Sequence, residues 1–144
     1  MLCNWLSRTS FEVAIVDHTG LDLVAYNTKI KQRLGITVKS RTRKIGKETD
    51  EVNIFSYRRN DRQKLTDACK FFCCDPFIAI YVETKDVADL YLTSLKNYDR
   101  KYRPQKGQAL DTWKMSSQYI ERYKQDKEVM HIRVDFHLDC WWSL

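Results

Sequence analysis

The stretch Gly20–Arg41, G-L-D-L-V-A-Y-N-T-K-I-K-Q-R-L-G-I-T-V-K-S-R, decides how this chain folds. Leu21–Asn27 alternates, with Leu21, Leu23 and Ala25 on one side and Asp22, Val24 and Tyr26 on the other, so it predicts a strand. Thr28–Gln32 is a polar turn. Arg33–Ser40 predicts the next strand, with Leu34, Ile36 and Val38 facing the core and Gly35, Thr37 and Lys39 facing away from it. Just upstream, Phe11–Asp17 alternates as well, and His18-Thr19-Gly20 turns the chain into the quoted stretch. Three short strands with tight connections predict an antiparallel meander.

Downstream the pattern changes. Arg41–Tyr57 reads as charged and irregular. Asn60 followed by Gln63 has the form of a capping box. Leu65, Ala68, Cys69, Phe72 and Cys73 then form one apolar helical stripe, which Asp75-Pro76 ends. Phe77–Val82 is continuously apolar, as a central strand covered on both faces would be. Val87–Leu92 is its hairpin partner, and Thr93–Asp111 is a long polar connection. Ser116–Lys127 predicts a helix. Met130, Ile132, Val134, Phe136 and Leu138 alternate with His131, Arg133, Asp135, His137 and Asp139, the pattern of an edge strand. The order predicts an α/β sandwich, a mixed sheet flanked by helices. We expect a single domain over 1–144, its core at about 5–95 and a C-terminal helix and edge strand at 112–139.

Composition narrows the function classes. The 144 residues are 43% hydrophobic with four Gly and two Pro, which excludes a disordered or low-complexity chain. No apolar run approaches the roughly 18–20 residues of a membrane helix, and Met1–Ser10 has no signal-peptide pattern. Cys3, Cys69, Cys73, Cys74 and Cys140 are odd in number and bunched, so they read as buried free thiols in a reducing, cytoplasmic setting. Cys69 and Cys73 are expected to share a helical face, and the second thiolate pair of a zinc site is missing.

Asp22 and Lys39 are the residues with chemical potential. Thr37 and Lys39 share a face by the period of two, and their strand should lie about 4.8 Å from the one carrying Asp22. A carboxylate and an ammonium can then meet. Such a pair suits metal-assisted phosphodiester hydrolysis, with Mg²⁺ on the carboxylate and the lysine acting on water or on developing charge. It also suits a plain cross-strand ion pair on a solvated face.

With these residues in place, the chain resembles the PD-(D/E)XK nuclease superfamily, which has the restriction-endonuclease-like fold. The resemblance covers about residues 5–95. It rests on G-L-D-L-V-A-Y-N at 20–27, G-I-T-V-K-S-R at 35–41, and the helix and strand at 61–74 and 77–82. The family's element order is matched if Leu2–Ser7 ends a first helix. The resemblance implies Asp22 and the Val38 carbonyl as metal ligands, Lys39 as the catalytic lysine, and Thr37 at a catalytic position that is normally Glu, Asp or Gln. It implies Mg²⁺ or Mn²⁺ as cofactor and DNA as substrate. The family's first-helix Glu has no counterpart, so the chain is expected to begin partway through that helix. Glu12, the nearest acid, sits in or beside the first strand.

The net charge of +6 is local. Lys29, Lys31, Arg33, Lys39, Arg41, Arg43, Lys44 and Lys47 form an acid-free run that flanks the candidate site, as a phosphate-binding cluster would. A second basic stretch, Lys96, Arg100, Lys101, Arg103 and Lys106, interleaves Tyr98 and Tyr102 for stacking on bases. His18 reads as a turn residue that could also meet phosphate. Cys140-Trp141-Trp142 is an apolar tail that packs on the body or on a second subunit, which would make a homodimer. Three functions remain open: a metal-dependent DNA endonuclease, a catalytically inactive nuclease-fold module that binds nucleic acid or serves assembly, and a protein-interaction domain.

Overall fold

The computed structural model describes residues 1–44, 50–104 and 109–136. Helix α1 (Leu2–Arg8) leads into strands β1 (Phe11–His18), β2 (Leu21–Asn27) and β3 (Gln32–Thr42), the antiparallel meander expected. Strand β4 (Glu51–Ser56) and helix α2 (Asp61–Phe71) then cross over to β5 (Asp75–Glu83). Strand β5 pairs with β3 in parallel, which a crossover of this length permits. It also pairs with β6 (Val87–Ser94) as a hairpin. Helix α3 (Leu95–Lys101), β7 (Leu110–Lys114), helix α4 (Ser117–Gln125) and β8 (Val129–Asp135) complete the chain. Six strands form one mixed sheet in the order β1-β2-β3-β5-β6-β8, and β4 and β7 form a separate ribbon.

Each face of the sheet has its own cover. Leu2 and Leu6 of α1 pack on Leu23, Ala25, Leu34, Ile36, Ala79 and Leu90. Leu65, Ala68 and Cys69 of α2 join the β4–β7 ribbon on the other side, against Ile78, Ile80 and Tyr91. Strand β5 therefore has Ile78, Ala79 and Ile80 all fully buried, with consecutive side chains entering opposite cores. The second core is strongly aromatic. Trp113 stacks on Tyr123 with ring centroids 4.0 Å apart, and Tyr91, Tyr98 and Tyr102 enclose the pair. No helix among the described residues is long and apolar enough to cross a membrane.

Four local expectations are corrected. Residues 41–57 are not irregular throughout: β4 buries Val52, Ile54 and Phe55 by pairing with β7. The connection 93–111 holds α3, whose N-cap Ser94 accepts the Asn97 amide, and the start of β7. Asn60 makes no capping box, since its backbone is left-handed at φ 54 and its side chain accepts no cap bond. Gln63 turns outward to Asp67 instead. Helix α2 ends at Phe71, and Cys73 is exposed with a left-handed backbone at φ 52. The thiol beside Cys69 is therefore Cys74, one residue further on, because the chain reverses after the helix. Strand β8 is an edge strand as expected, over a shorter span, and His137, Asp139 and the Cys140-Trp141-Trp142 tail lie outside the described residues.

Candidate functional site

Asp22 sits where the sheet opens. The β2–β3 ladder pairs Leu23 with Ile36 and stops there, although β3 runs on to Thr42. The next β3 amide facing the gap, Val38 N–H, donates to Asp22 Oδ2 at 2.6 Å. The Thr37 hydroxyl donates to the same oxygen at 3.1 Å. The carboxylate thus replaces the missing strand, and charge makes both bonds stronger than neutral ones. Thr37 is buried, while Asp22 is exposed.

Lys39 does not join them. It is half-buried, yet it makes no hydrogen bond or ion pair with Asp22 or with any other described residue. The expected meeting of carboxylate and ammonium is therefore absent, and the partners of Asp22 are Thr37 and the Val38 amide. The strand period explains this outcome: a lysine two residues beyond Thr37 is carried about 6.6 Å along the strand.

Among the described residues, the donors beside Asp22 do not fit a divalent cation. Hard cations want oxygen ligands, and carboxylates supply the charge that displaces their water. Here one Asp22 oxygen already accepts two hydrogen bonds, and its neighbour Thr37 is a neutral hydroxyl. Among the described residues no group of three His, Cys, Asp or Glu side chains could hold a metal. Asp22 borders a cleft of about 520 Å³ whose walls include Leu2, Cys3, Ile15, Val38 and Tyr81, and among the described residues it is the only acidic or basic side chain lining it. Helix α1 offers Leu2 and Cys3 where an acid would be needed, and Glu12 pairs across from Tyr26, further along β2.

This poor fit has a measurable consequence. Thr37→Glu would force a second carboxylate beside Asp22 at a buried position, costing roughly 2 kcal/mol or more in chelator. Millimolar Mn²⁺ should restore much of the lost melting temperature, because an ion would then find two carboxylates. The unsubstituted chain should melt identically with chelator and with Mn²⁺. A Mn²⁺-dependent melting temperature in the unsubstituted chain would mean that its own donors suffice.

The basic run is split between the two ends of β3. Lys29 and Lys31 are exposed on the β2–β3 turn, which Asn27 organises by accepting the amides of Lys29 and Ile30. This end lies about 16 Å along the strand from Asp22. Arg33 lies 5.6 Å from the Tyr26 ring centroid and donates to the Phe72 carbonyl. A polar groove of about 660 Å³ is lined by Tyr26, Ile30, Lys31, Gln32, Arg33, Cys73 and Asp75. At the other end, Arg43 is paired with Asp50, and Arg43 and Lys44 line a cleft that also contains Glu83, Lys85 and Asp86. Arg41 is half-buried beyond Lys39 on β3, and Lys47 lies outside the described residues.

Three cations of the second basic stretch are neutralised within the molecule, while Lys96 is exposed and Lys106 lies outside the described residues. Arg100 pairs with Glu128, Lys101 with Asp126 and Glu128, and Arg103 with Asp111. Tyr98 and Tyr102 are buried core residues, not stacking platforms. Hydrogen bonds from Lys101, Asn97 and Tyr102 hold the Asp126 carboxyl well below the usual range, outweighing the opposing effect of burial. Asp126 and Glu128 are 25 and 28 residues away from Lys101 and Arg100, so nothing local in the sequence signalled this pairing. His131 is likewise no free surface group: it bonds Asp89 at 2.7 Å and stacks on Tyr91. His18 sits edge-on to Phe72.

No family model and no curated protein matches the chain. Among solved structures, it is similar to Hjc, a Holliday junction resolvase from the archaeal hyperthermophile Archaeoglobus fulgidus. The TM-score is 0.57 at 16% sequence identity, over 83% of this chain and 89% of that one. What is shared is the fold, a mixed sheet flanked by helices of the restriction-endonuclease-like kind.

Proposed function

We propose that this chain is a nucleic-acid-binding module on a nuclease fold, acting on DNA without a complete metal centre of its own. The observation that carries this reading is the use of Asp22. Its carboxylate closes the gap between β2 and β3 through Thr37 and the Val38 amide, and no second acid stands beside it among the described residues. The binding surface we assign is the groove end of the β2–β3 hairpin. Lys29 and Lys31 are exposed there, the Arg33 guanidinium lies over the Tyr26 ring, and Ile30 is 66% exposed. Cations beside an aromatic face attract phosphate and offer a surface for an unpaired base. The likeness to a Holliday junction resolvase makes branched DNA the first substrate to try.

Fluorescence anisotropy with a four-way junction, a duplex and a single strand tests this. All binding should weaken steeply with salt. Reversing two charges with Lys29→Glu and Lys31→Glu together should weaken it at least tenfold and flatten the salt dependence. Absence of salt-dependent binding to any of the three DNAs at low salt would sink the proposal. One observation favours a second reading, Mg²⁺- or Mn²⁺-dependent cleavage through Asp22, Thr37 and Lys39. Lys39 has no partner among the described residues and so is free to act. Cleavage lost in both Asp22→Ala and Lys39→Ala would establish that reading over the first.

A further inference from the structure

Helix α2 ends in a Schellman arrangement. The Cys74 amide donates to the Cys69 carbonyl at 2.9 Å, and the Cys73 amide donates to the Lys70 carbonyl at 3.2 Å. Between them Cys73 takes the left-handed conformation usual for glycine at this position. This geometry lays the residue after the turn over the helical residue five before it, commonly as a contact between two apolar side chains. In this chain both are thiols. Gly35 of β3 makes the room for them: a Cβ built there would lie 2.5 Å from Cys74 Sγ and 2.6 Å from Cys69 Sγ. Both sulfurs therefore occupy the space above a residue that has no side chain, with Cys69 Sγ donating to the Gly35 carbonyl at 3.8 Å and Cys74 Sγ donating to the Cys69 carbonyl at 3.7 Å.

We infer that Cys69 and Cys74 form a redox-active dithiol, a modification site that closes to an intramolecular disulfide. Access is asymmetric. Cys69 is buried, and burial, with Cys74 beside it, pushes its thiol up to about 12. Cys74 is only half-buried; burial still pushes its thiol up, and Cys69 and Arg33 offset part of that rise. It is thus the thiol that meets the reagent. The neighbouring Cys73 lines the groove that also holds Lys31 and Arg33, so an anionic small-molecule disulfide such as oxidised glutathione approaches a cationic surface.

The Cys74 thiolate attacks one sulfur of that disulfide, forming a mixed disulfide and expelling one glutathione thiolate. Cys69, on losing its proton, attacks the Cys74 sulfur and expels the second. The two protein thiols give up two electrons, the reagent is reduced to two thiols, and the protons of Cys69 and Cys74 end on the two leaving groups. The inference does not depend on the nucleic-acid reading.

The test needs only the intact folded chain. It is equilibrated with defined ratios of oxidised to reduced glutathione, quenched with an alkylating agent in denaturant, and digested with trypsin without reduction. Cleavage after Lys64, Lys70 and Lys85 puts Cys69 in the peptide 65–70 and both Cys73 and Cys74 in the peptide 71–85. Oxidation should join these two peptides, two hydrogens lighter than their sum, with matching loss of Cys69 alkylation. The link should persist in Cys73→Ser and vanish in Cys74→Ser, with circular dichroism confirming that both variants fold. Full alkylation of Cys69 at every ratio would overturn the inference. So would a bond confined to 71–85, or a link that survives Cys74→Ser.

Discussion

Gly20→Ala should destabilise the protein by about 3 kcal/mol or more, lowering the melting temperature by roughly 10 °C for a chain of this size. Two costs add. Gly20 has φ +97, a conformation that costs L-residues about 1 kcal/mol or more. A Cβ there would also lie 2.6 Å from the Lys64 carbonyl carbon, 2.7 Å from Lys64 Cβ and 2.9 Å from the Leu65 amide nitrogen. Those atoms include the backbone of α2, and Leu65 is fully buried, so the helix cannot yield by a rotamer change. The turn must lift off α2, and Asp22 lies just two residues beyond it. Chemical denaturation checks the stability loss. A change below about 0.5 kcal/mol, the range of ordinary surface substitutions, would refute this packing account.

Asp111→Ala should cost about 3 kcal/mol. Asp111 is 1% exposed and accepts from three donors: Tyr57 Oη at 2.7 Å, Arg62 Nη1 at 3.2 Å and Arg103 Nε at 3.4 Å. It ties the β4–β7 ribbon to α2 and to the chain beyond α3. Removing it leaves two guanidiniums facing a buried gap, and breaking a buried pair from one side typically costs about 3–5 kcal/mol. The lower figure applies because Arg62 and Arg103 are partly exposed and Arg62 keeps Asp99. Glu128→Ala is the contrast. Its pairs with Arg100 and Lys101 are solvent-exposed, so their loss should destabilise the protein far less than the loss of Asp111. Urea titrations of the two variants side by side measure the difference, and equal losses would contradict it.

The sheet core was legible because its patterns were local. Leu21–Asn27 reads as a strand and is one over those residues. The apolar run in β5 announced burial on both faces, and Ile78, Ala79 and Ile80 are buried on opposite sides. The β4–β7 ribbon was harder to see. Val52 and Ile54 do alternate, but charged neighbours dilute them, and the strand is held by a partner about sixty residues away. The candidate site was half legible. Period-two counting put Thr37 and Lys39 on one face beside the strand of Asp22 and led to the expectation that Asp22 meets Lys39, whereas its hydrogen bond is to Thr37. The same counting could not show that the β2–β3 ladder stops at Leu23 and Ile36.

Sequence alone determined the alternations, the turns, the order of the central elements, and the residues Asp22, Thr37 and Lys39 as the place to look. The alternations, turns and element order follow from side-chain periodicity and backbone preference, which act over a few residues, and the three candidate residues rest on the resemblance. Tertiary structure decided the rest. It turned Asp22 into a latch on the Val38 amide, left Lys39 apart from it, and spent Arg100, Lys101 and Arg103 on acids distant in sequence. It also brought Cys74, not Cys73, beside Cys69 above Gly35. Charge and thiol chemistry act through space over a few ångströms, and only the folded chain sets which groups stand that close.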